Sequence, residues 1–138
     1  MAEEPELSNV GTVQEIYAAF GRGDIPFILE QLSETVEWDR GSKSDVPWML
    51  PRQGKAGVGA FFEALSGFEI TKFVPYKFLD GGDVVAALIE VEATVTKTGI
   101  SVSEEDETHV WTFDAQGKVA RFSHKVDSHA QWKAYHGA

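Results

Sequence analysis

Two histidines, His109 and His124, have the residue type and spacing of an acid and a base that act together. They belong to residues 107–126, in which apolar and aromatic side chains alternate with polar ones on both sides of the turn sequence D-A-Q-G. This period of two predicts a β-hairpin whose aromatic face carries both histidines. Imidazole titrates near neutral pH and burial tunes its pKa, so the pair suits general acid–base chemistry in an apolar pocket. Two strand histidines with ordinary packing roles are the alternative.

The register of this hairpin decides how close the two imidazoles come. A loop at residues 114–117 predicts the cross-strand pairs Phe113–Lys118, His109–Phe122 and Glu107–His124. The two histidines would then be diagonal neighbours roughly 7 to 8 Å apart, with Glu107 directly opposite His124. Desolvation and mutual repulsion would disfavour both imidazolium forms, unless Glu107 turns inward and restores the charge of one of them. A three-residue loop would shift the register and mix the two faces.

Composition and charge limit the classes of function open to the chain. With 138 residues, 43% of them hydrophobic and 12% aromatic, the chain is large enough for one domain, residues 1–138, with a substantial core. Its 22 acidic and 12 basic residues give a net charge of -10, which repels nucleic acid backbones and anionic membranes. We therefore expect neither nucleic acid nor a membrane as a partner.

The available side-chain chemistry is limited as well. The chain has no cysteine, which excludes disulfides, thiol nucleophiles and thiolate metal sites. Its four histidines lack the paired spacing of a zinc or iron site, so we expect neither a metal nor a cofactor. The acidic N-terminal residues 1–8 have no long apolar run, which predicts neither a signal peptide nor a membrane anchor and a cytoplasmic location.

Helical spacing of apolar residues dominates the first half of the chain and returns at its C-terminus. It predicts three N-terminal helices, which run from Ser8 or Asn9 to Phe20, from Asp24 to Leu32 and from Lys55 to Leu65. A short strand is expected at residues 35–40. The connection at residues 41–54 is long for a loop without structure, so we expect it to cover part of the core. Asp127 is expected to cap a short helix over residues 128–135.

After Gly67 the apolar period changes to strict alternation. Strands are expected at residues 68–79 and 84–98 and in the two hairpin arms, while the charged residues 100–107 are expected to bridge the long strand to the hairpin. Helices followed by a meander of strands predict an α+β fold. In this fold a curved antiparallel sheet wraps around three N-terminal helices and encloses a central pocket.

Four segments, in this order along the chain, resemble one known superfamily. They are Y-A-A-F-G-R-G-D at residues 17–24, the strand T-V-E-W, G-K-A-G-V-G-A-F-F at residues 54–62, and H-V-W-T-F-D-A-Q-G-K-V-A-R-F, which ends at Phe122. Together they resemble the NTF2-like superfamily, particularly the SnoaL-like proteins with their polyketide cyclase and ketosteroid isomerase-like members. The resemblance covers nearly the whole chain and implies a cone-shaped α+β fold with a central pocket. It names no reaction, because this superfamily contains isomerases, cyclases, hydrolases, binding domains and transport factors.

Residue-by-residue matching to these families predicts where the pocket lies, but it provides no complete set of catalytic residues. His109 matches the pocket histidine of SnoaL-type cyclases, whereas their acid–base Asp corresponds to His124. Limonene epoxide hydrolase-like members also have a catalytic Asp there, but their supporting Arg and second Asp correspond to apolar residues in this chain. The general-base Asp of ketosteroid isomerases corresponds to Trp38, and in a regular strand the adjacent Asp39 would point to the other face.

The residues expected to form the site follow from these patterns. We expect His124 to be the principal general acid or base, and His109 to orient the substrate or share its proton. The hydroxyl of Tyr17 is a candidate oxyanion donor, with core packing as the alternative. The residues expected to bind ligand suit a ring-bearing compound, with an ordinary aromatic core as the alternative; they are Tyr17, Trp38, Trp48, Phe62, Trp111 and Phe122.

Three functions stay open at this point. The first is a cofactor-free enzyme that isomerises, cyclises or hydrolyses a small apolar compound, most simply a cyclic one. The second is a binding module that holds such a compound without turnover, and the third is an interaction domain that dimerises through an exposed sheet face. We expect a homodimer, because the outward strand positions include the apolar residues Ala86, Leu88, Val110 and Val119.

Overall fold

The computed structural model describes residues 8–138 of the chain. The expectation that the N-terminus holds neither a signal peptide nor a membrane anchor concerns mainly residues 1–7, which lie outside the described residues. Within residues 8–138, no helix is long and apolar enough to cross a membrane.

The described residues form four α-helices, with caps at the positions that the sequence predicts. The helices are α1 (Asn9–Gly21), α2 (Ile25–Glu30), α3 (Gly54–Ala64) and α4 (Ser128–His136). Ser8, Asp24 and Asp127 each accept a hydrogen bond from a backbone N–H in the first turn of α1, α2 and α4, which confirms these caps. Single 3₁₀ turns occur at Pro47–Met49 and Leu65–Gly67.

The described strands form one sheet in the order β2-β1-β6-β5-β4-β3. They are β1 (Leu32–Trp38), β2 (Arg52–Gln53), β3 (Phe68–Asp80), β4 (Val84–Val95), β5 (Ser101–Phe113) and β6 (Val119–Lys125). Neighbouring strands are antiparallel except β1 and β6, which pair in parallel. The curved, unclosed sheet and the four helices confirm the predicted α+β fold class.

Several predicted element boundaries are wrong. The first strand was expected at residues 35–40, but Leu32 already belongs to it rather than to α2, and it ends at Trp38 because Asp39 adopts a φ of +52°. The charged residues that were expected to bridge two elements form the first half of β5, where they pair with the end of β4. Charge does not prevent this pairing, because the side chains on one face of the sheet edge stay in water.

The predicted register of the β5–β6 hairpin is also wrong. The observed pairs are His109–His124, Trp111–Phe122 and Phe113–Val119. An additional residue, Ala120, lies opposite the step from Thr112 to Phe113 as a β-bulge, which shifts one strand against the other. The bulge also turns Val119 inward, so this residue is fully buried instead of facing outward. Both histidines keep the predicted face, since the bulge lies beyond them.

Aromatic stacking holds the hairpin against the rest of the core. Trp38 stacks on Phe122 with 4.0 Å between ring centroids and meets Trp111 edge to face at 5.9 Å. The connection over residues 41–54 covers part of the core, as expected, because Trp48 is buried and stacks on Phe68 at 4.8 Å. Wide, rigid ring contacts of this kind fix the face that carries the two histidines.

Two glycines give a matched test of the turn that joins β3 and β4. A Cβ at Gly81 would lie 2.6 Å from the carbonyl oxygen of Val84, whereas a Cβ at Gly59, within α3, would meet open space. We expect Gly81→Ala to lower the free energy of unfolding by about 1–3 kcal/mol through this overlap. Gly59→Ala should raise it by about 0.5–1 kcal/mol, because alanine is the better helix former. Urea unfolding measures both, and changes of the same sign would contradict the turn geometry.

Candidate active site

The two histidines face each other across β5 and β6. His109 and His124 are direct cross-strand partners, and their ring centroids lie 6.3 Å apart. The ring of Phe122 packs beside both, at 5.1 Å from His109 and 6.1 Å from His124. Because these apolar neighbours exclude water, the protonation of each imidazole depends on its own polar partners.

A chain of hydrogen bonds encloses His109. Nδ1 of His109 lies 2.7 Å from the Tyr17 hydroxyl oxygen, which also accepts the Trp111 indole N–H over 3.0 Å. Nε2 of His109 lies 2.6 Å from Oε2 of Glu107. An ionised carboxylate only accepts, so Nε2 carries the proton and the Tyr17 hydroxyl donates to Nδ1. Both nitrogens of a neutral His109 are therefore satisfied by the protein itself.

This environment favours the neutral form of His109. Desolvation of the buried ring lowers the pKa of His109 below its ordinary value, although the hydrogen bond and the charge of Glu107 act in the opposite direction. Burial also raises the pKa of Tyr17 well above its ordinary range, so the hydroxyl keeps its proton. His109 thus acts as a fixed acceptor for Tyr17 and has no free nitrogen for a ligand.

Asp39 supports His124, which contradicts the expectation that it points to the other face. It is the only non-glycine residue with a positive φ among residues 8–138, and its backbone N–H donates to the carbonyl oxygen of Phe122. Oδ1 of Asp39 accepts the backbone N–H of His124 over 2.9 Å. Oδ2 lies 2.6 Å from Nδ1 of His124, an ion-pair contact without the alignment of a linear hydrogen bond. The side chains of Asp39 and His124 are only 4% and 11% exposed.

The charged form of His124 is favoured, whereas His109 favours its neutral form. Desolvation is the largest single effect on His124 and acts to lower its pKa, but the contact and charge of Asp39, together with the charge of Glu107, outweigh it. The pKa of His124 therefore lies above its ordinary value. Two neighbouring imidazoles whose environments move their pKa values apart can hold different protonation states at the same pH.

Nε2 of His124 is the atom left for chemistry. Because the Asp39 carboxylate only accepts, Nδ1 of His124 carries a proton and Nε2 is the position that gains or loses one. Among residues 8–138, Nε2 has no hydrogen-bond partner, whereas both nitrogens of His109 have one. A general acid or base needs such an unengaged atom within reach of a ligand.

A cavity lies between the helices and the sheet, beside the two histidines. Its volume is about 80 Å³, which is space for several water molecules or a small compound. All eight residues that the sequence analysis assigns to the site line this cavity: Tyr17, Trp38, Trp48, Phe62, His109, Trp111, Phe122 and His124. Their roles in binding and catalysis stay predictions. Within residues 8–138, no group of three or more acidic or histidine side chains could hold a metal ion.

Gln131 lines the same cavity and was missed from the sequence. It is 3% exposed, and its Oε1 accepts the indole N–H of Trp48 over 2.9 Å. An indole N–H only donates, so the oxygen must face Trp48 and the amide NH₂ is the free end, with no partner among residues 8–138. The helical spacing of Gln131 with the buried Ala134 was the available signal, whereas nothing in the alternating pattern of β1 indicated the turn at Asp39.

NMR titration of the imidazoles checks the two assignments. We expect the pKa of His124 above the ordinary 6.5 and the pKa of His109 below it. Asp39→Asn keeps the side-chain shape and tolerates a positive φ but removes the charge, so the pKa of His124 should fall. Asp45→Asn, which removes a carboxylate beside the surface residue His136, is the control and should leave His124 unchanged. A titration midpoint of His124 that is unchanged in Asp39→Asn would contradict the ion pair.

The same shifts set the sign of the pH dependence of stability. The raised pKa of His124 contributes stability that is complete below its unfolded pKa and is lost as the pH rises through its folded pKa. The lowered pKa of His109 contributes stability above its unfolded pKa, which is lost as the pH falls through its folded value. Urea unfolding across this range should therefore show that Asp39→Asn is more destabilising at acid pH than at alkaline pH.

Known proteins with the same fold were compared with the chain. An NTF2-like protein from Burkholderia xenovorans superimposes with a TM-score of 0.81 and 26% identity, over 92% of this chain and 95% of that chain. An NTF2-like protein of unknown function from Burkholderia pseudomallei gives 0.77 and 25% identity, over 94% and 98%. TerC co-crystallised with polyporic acid gives 0.75 and 25% identity, over 93% and 98%.

Sequence comparison identifies the family. Among curated proteins no significant sequence match was found. The family model described as the SnoaL-like domain matches residues 13–122, which include most of α1, the whole of β5 and most of the aromatic face. This chain therefore belongs to the SnoaL-like family of NTF2-like proteins.

Proposed function

We propose that this chain is a cofactor-independent enzyme that transfers protons on a small, ring-bearing apolar compound, as isomerases and cyclases do. One observation carries the proposal: His124 lines the cavity and its Nε2 has no partner among residues 8–138, while Asp39 contacts Nδ1 on the other side of the ring. The raised pKa makes the neutral form of His124 a stronger base than an ordinary histidine, and its charged form can return the proton as an acid.

Every proton and electron pair in the proposed reaction can be followed between the compound and the side chains that line the cavity. The neutral form of His124, which is populated above its raised pKa, takes a proton through Nε2 from a carbon next to a carbonyl group, and Asp39 stabilises the imidazolium that forms. The electron pair of the broken C–H bond moves to the carbonyl oxygen, to which the free amide of Gln131 donates. Return of the proton to another carbon completes an isomerisation. Attack of the enolate on a second carbonyl of the same compound, followed by protonation, completes a cyclisation.

Relatives in the same fold support a small organic ligand. One solved relative was co-crystallised with polyporic acid, at 25% identity to this chain. The size of the cavity, about 80 Å³, favours a compound with a single ring, or a larger one that enters only after side chains move. The aromatic walls supply flat surfaces against which such a ring can stack.

Binding without turnover is the second candidate, and the nearly carbon-only wall favours it. Apart from Glu107, His109, His124 and Gln131, the cavity is lined by aliphatic and aromatic side chains. Native mass spectrometry of the purified protein would detect a retained small molecule. A retained compound that is never converted, with equal affinity for the wild type and for His124→Ala, would favour binding over catalysis.

Deuterium exchange into cyclohexanone tests the enzymatic proposal without knowledge of the natural substrate. We expect the wild type to accelerate exchange of the protons next to the carbonyl, as followed by proton NMR in heavy water. His124→Gln should lose roughly 10²- to 10⁴-fold of the protein-dependent rate, because it removes the acid–base group. Asp39→Asn should lose less, because Nε2 remains but its protonation is no longer supported.

His136→Gln provides the matched control for this assay. It makes the same substitution in α4, at a histidine that pairs with Asp45 outside the cavity, and should leave the exchange rate unchanged. A wild-type rate no higher than that of buffer would contradict the enzymatic proposal. Equal rates for His124→Gln and the wild type would place the chemistry elsewhere.

We also propose that the chain forms a homodimer through the outer face of the sheet. Leu79, Ala86 and Val110 are successive cross-strand partners on β3, β4 and β5, and they form an apolar row. Leu79 is 47% exposed, and Val74 and Tyr76 on the same strand are similarly exposed. Val119, which the sequence analysis assigned to this face, takes no part because it is buried.

Sedimentation velocity tests the dimer. We expect the wild type to sediment as a dimer at micromolar concentration and Val110→Glu to sediment as a monomer, because it places a charge within the apolar row. Ile100→Glu changes an apolar residue that is 38% exposed in the connection between β4 and β5 and should remain dimeric. A wild type that stays monomeric would refute this face as an interface.

A further inference from the structure

His124 also borders a second, outer groove. This groove has a volume of about 620 Å³ and is lined by residues 41–44 and 123–126, by Asp39 and Met49, and by Ser128, His129 and Trp132 of α4. Of the residues that line the inner cavity, only His124 also lines the groove. One imidazole therefore lies between a mostly apolar interior and an outer groove with both polar and apolar walls.

The charges at this groove differ from those of the rest of the protein. Although the chain has 22 acidic and 12 basic residues, the groove presents two lysines, Lys43 and Lys125. Within residues 8–138, neither forms an ion pair with a carboxylate. The one carboxylate that lines the groove, Asp39, is already paired with His124.

Neutral donors complete the groove. The hydroxyl groups of Ser123 and Ser128 line it, and both side chains lack a hydrogen-bond partner among residues 8–138. The site thus offers two unpaired ammonium groups and two hydroxyls at the border of a buried acid–base residue. Such a set of donors complements the oxygens of an organic anion.

We propose that the outer groove is the subsite for the carboxylate of an organic acid whose apolar ring occupies the inner cavity. This inference rests on the proposed function, since it names the substrate class of the same site. A monoanion is favoured over a phosphate dianion, because the net charge of -10 repels each additional negative charge. The carboxylate lies beside His124 and orients the ring for proton transfer at Nε2.

The test compares 3-phenylpropanoate with its neutral amide, 3-phenylpropanamide, by NMR titration of the ¹⁵N-labelled protein. The backbone amides of Lys43 and Lys125 report on the groove, and the indole N–H groups of Trp38 and Trp111 report on the cavity. We expect the carboxylate to shift both sets and to bind more tightly than the amide. The difference should shrink as salt is added, because the lysines are exposed.

Lysine variants assign the effect to the groove. Lys43→Ala and Lys125→Ala should each weaken carboxylate binding by about two- to fivefold, the range of exposed ion pairs, and leave amide binding unchanged. Lys77→Ala removes the same charge from the exposed face of β3, at the far edge of the sheet, and should change neither.

The possible outcomes separate this inference from the proposed function. Equal affinity for both probes, with shifts of the indole groups, overturns the groove subsite and leaves the cavity function intact. Groove shifts that depend on the lysines, without indole shifts, support the anion site but overturn the inner cavity as the place of the ring. No groove shift with either probe overturns the subsite outright.

Discussion

The ion pair between Asp39 and His124 is the contact on which the rest of the site depends. A carboxylate that is 4% exposed is stable as an anion only beside a cation or several donors, and here His124 supplies both a ring N–H and a backbone N–H. To reach this position the chain leaves β1 after Trp38 and adopts a positive φ at Asp39. The uncommon backbone conformation of Asp39 is thus linked to its ion pair with His124.

Two carboxylate–imidazole pairs lie side by side but favour opposite protonation states. The difference comes from the second ring nitrogen. In His109 that nitrogen accepts the Tyr17 hydroxyl, which the Trp111 indole orients, so a second ring proton would break a satisfied network. In His124 the second nitrogen is unengaged, so protonation breaks no hydrogen bond and strengthens the contact with Asp39. The protonation state of each histidine therefore depends less on which carboxylate is its neighbour than on the group that contacts its other ring nitrogen.

The sequence predicted the elements and the lining of the cavity better than the polar contacts. Apolar periodicity placed α1, the sheet and the aromatic face, because burial of one face per element dominates folding. It missed the bulge at Ala120 and the turn at Asp39, since both are single-residue departures from periodicity that tertiary contacts stabilise. These two departures decide which groups touch the histidines. Regular patterns therefore located the site but not its charges.

The two histidines also differ in their access to solvent. His109 is enclosed by Tyr17, Glu107 and aromatic rings, and both of its ring nitrogens are engaged by the protein. His124 borders both the cavity and the outer groove, so its ring lies between a buried space and the protein surface. A catalyst must return to its starting protonation state after each turnover. Under the proposed function, this difference places the proton transfer at His124 and gives His109 a positioning role.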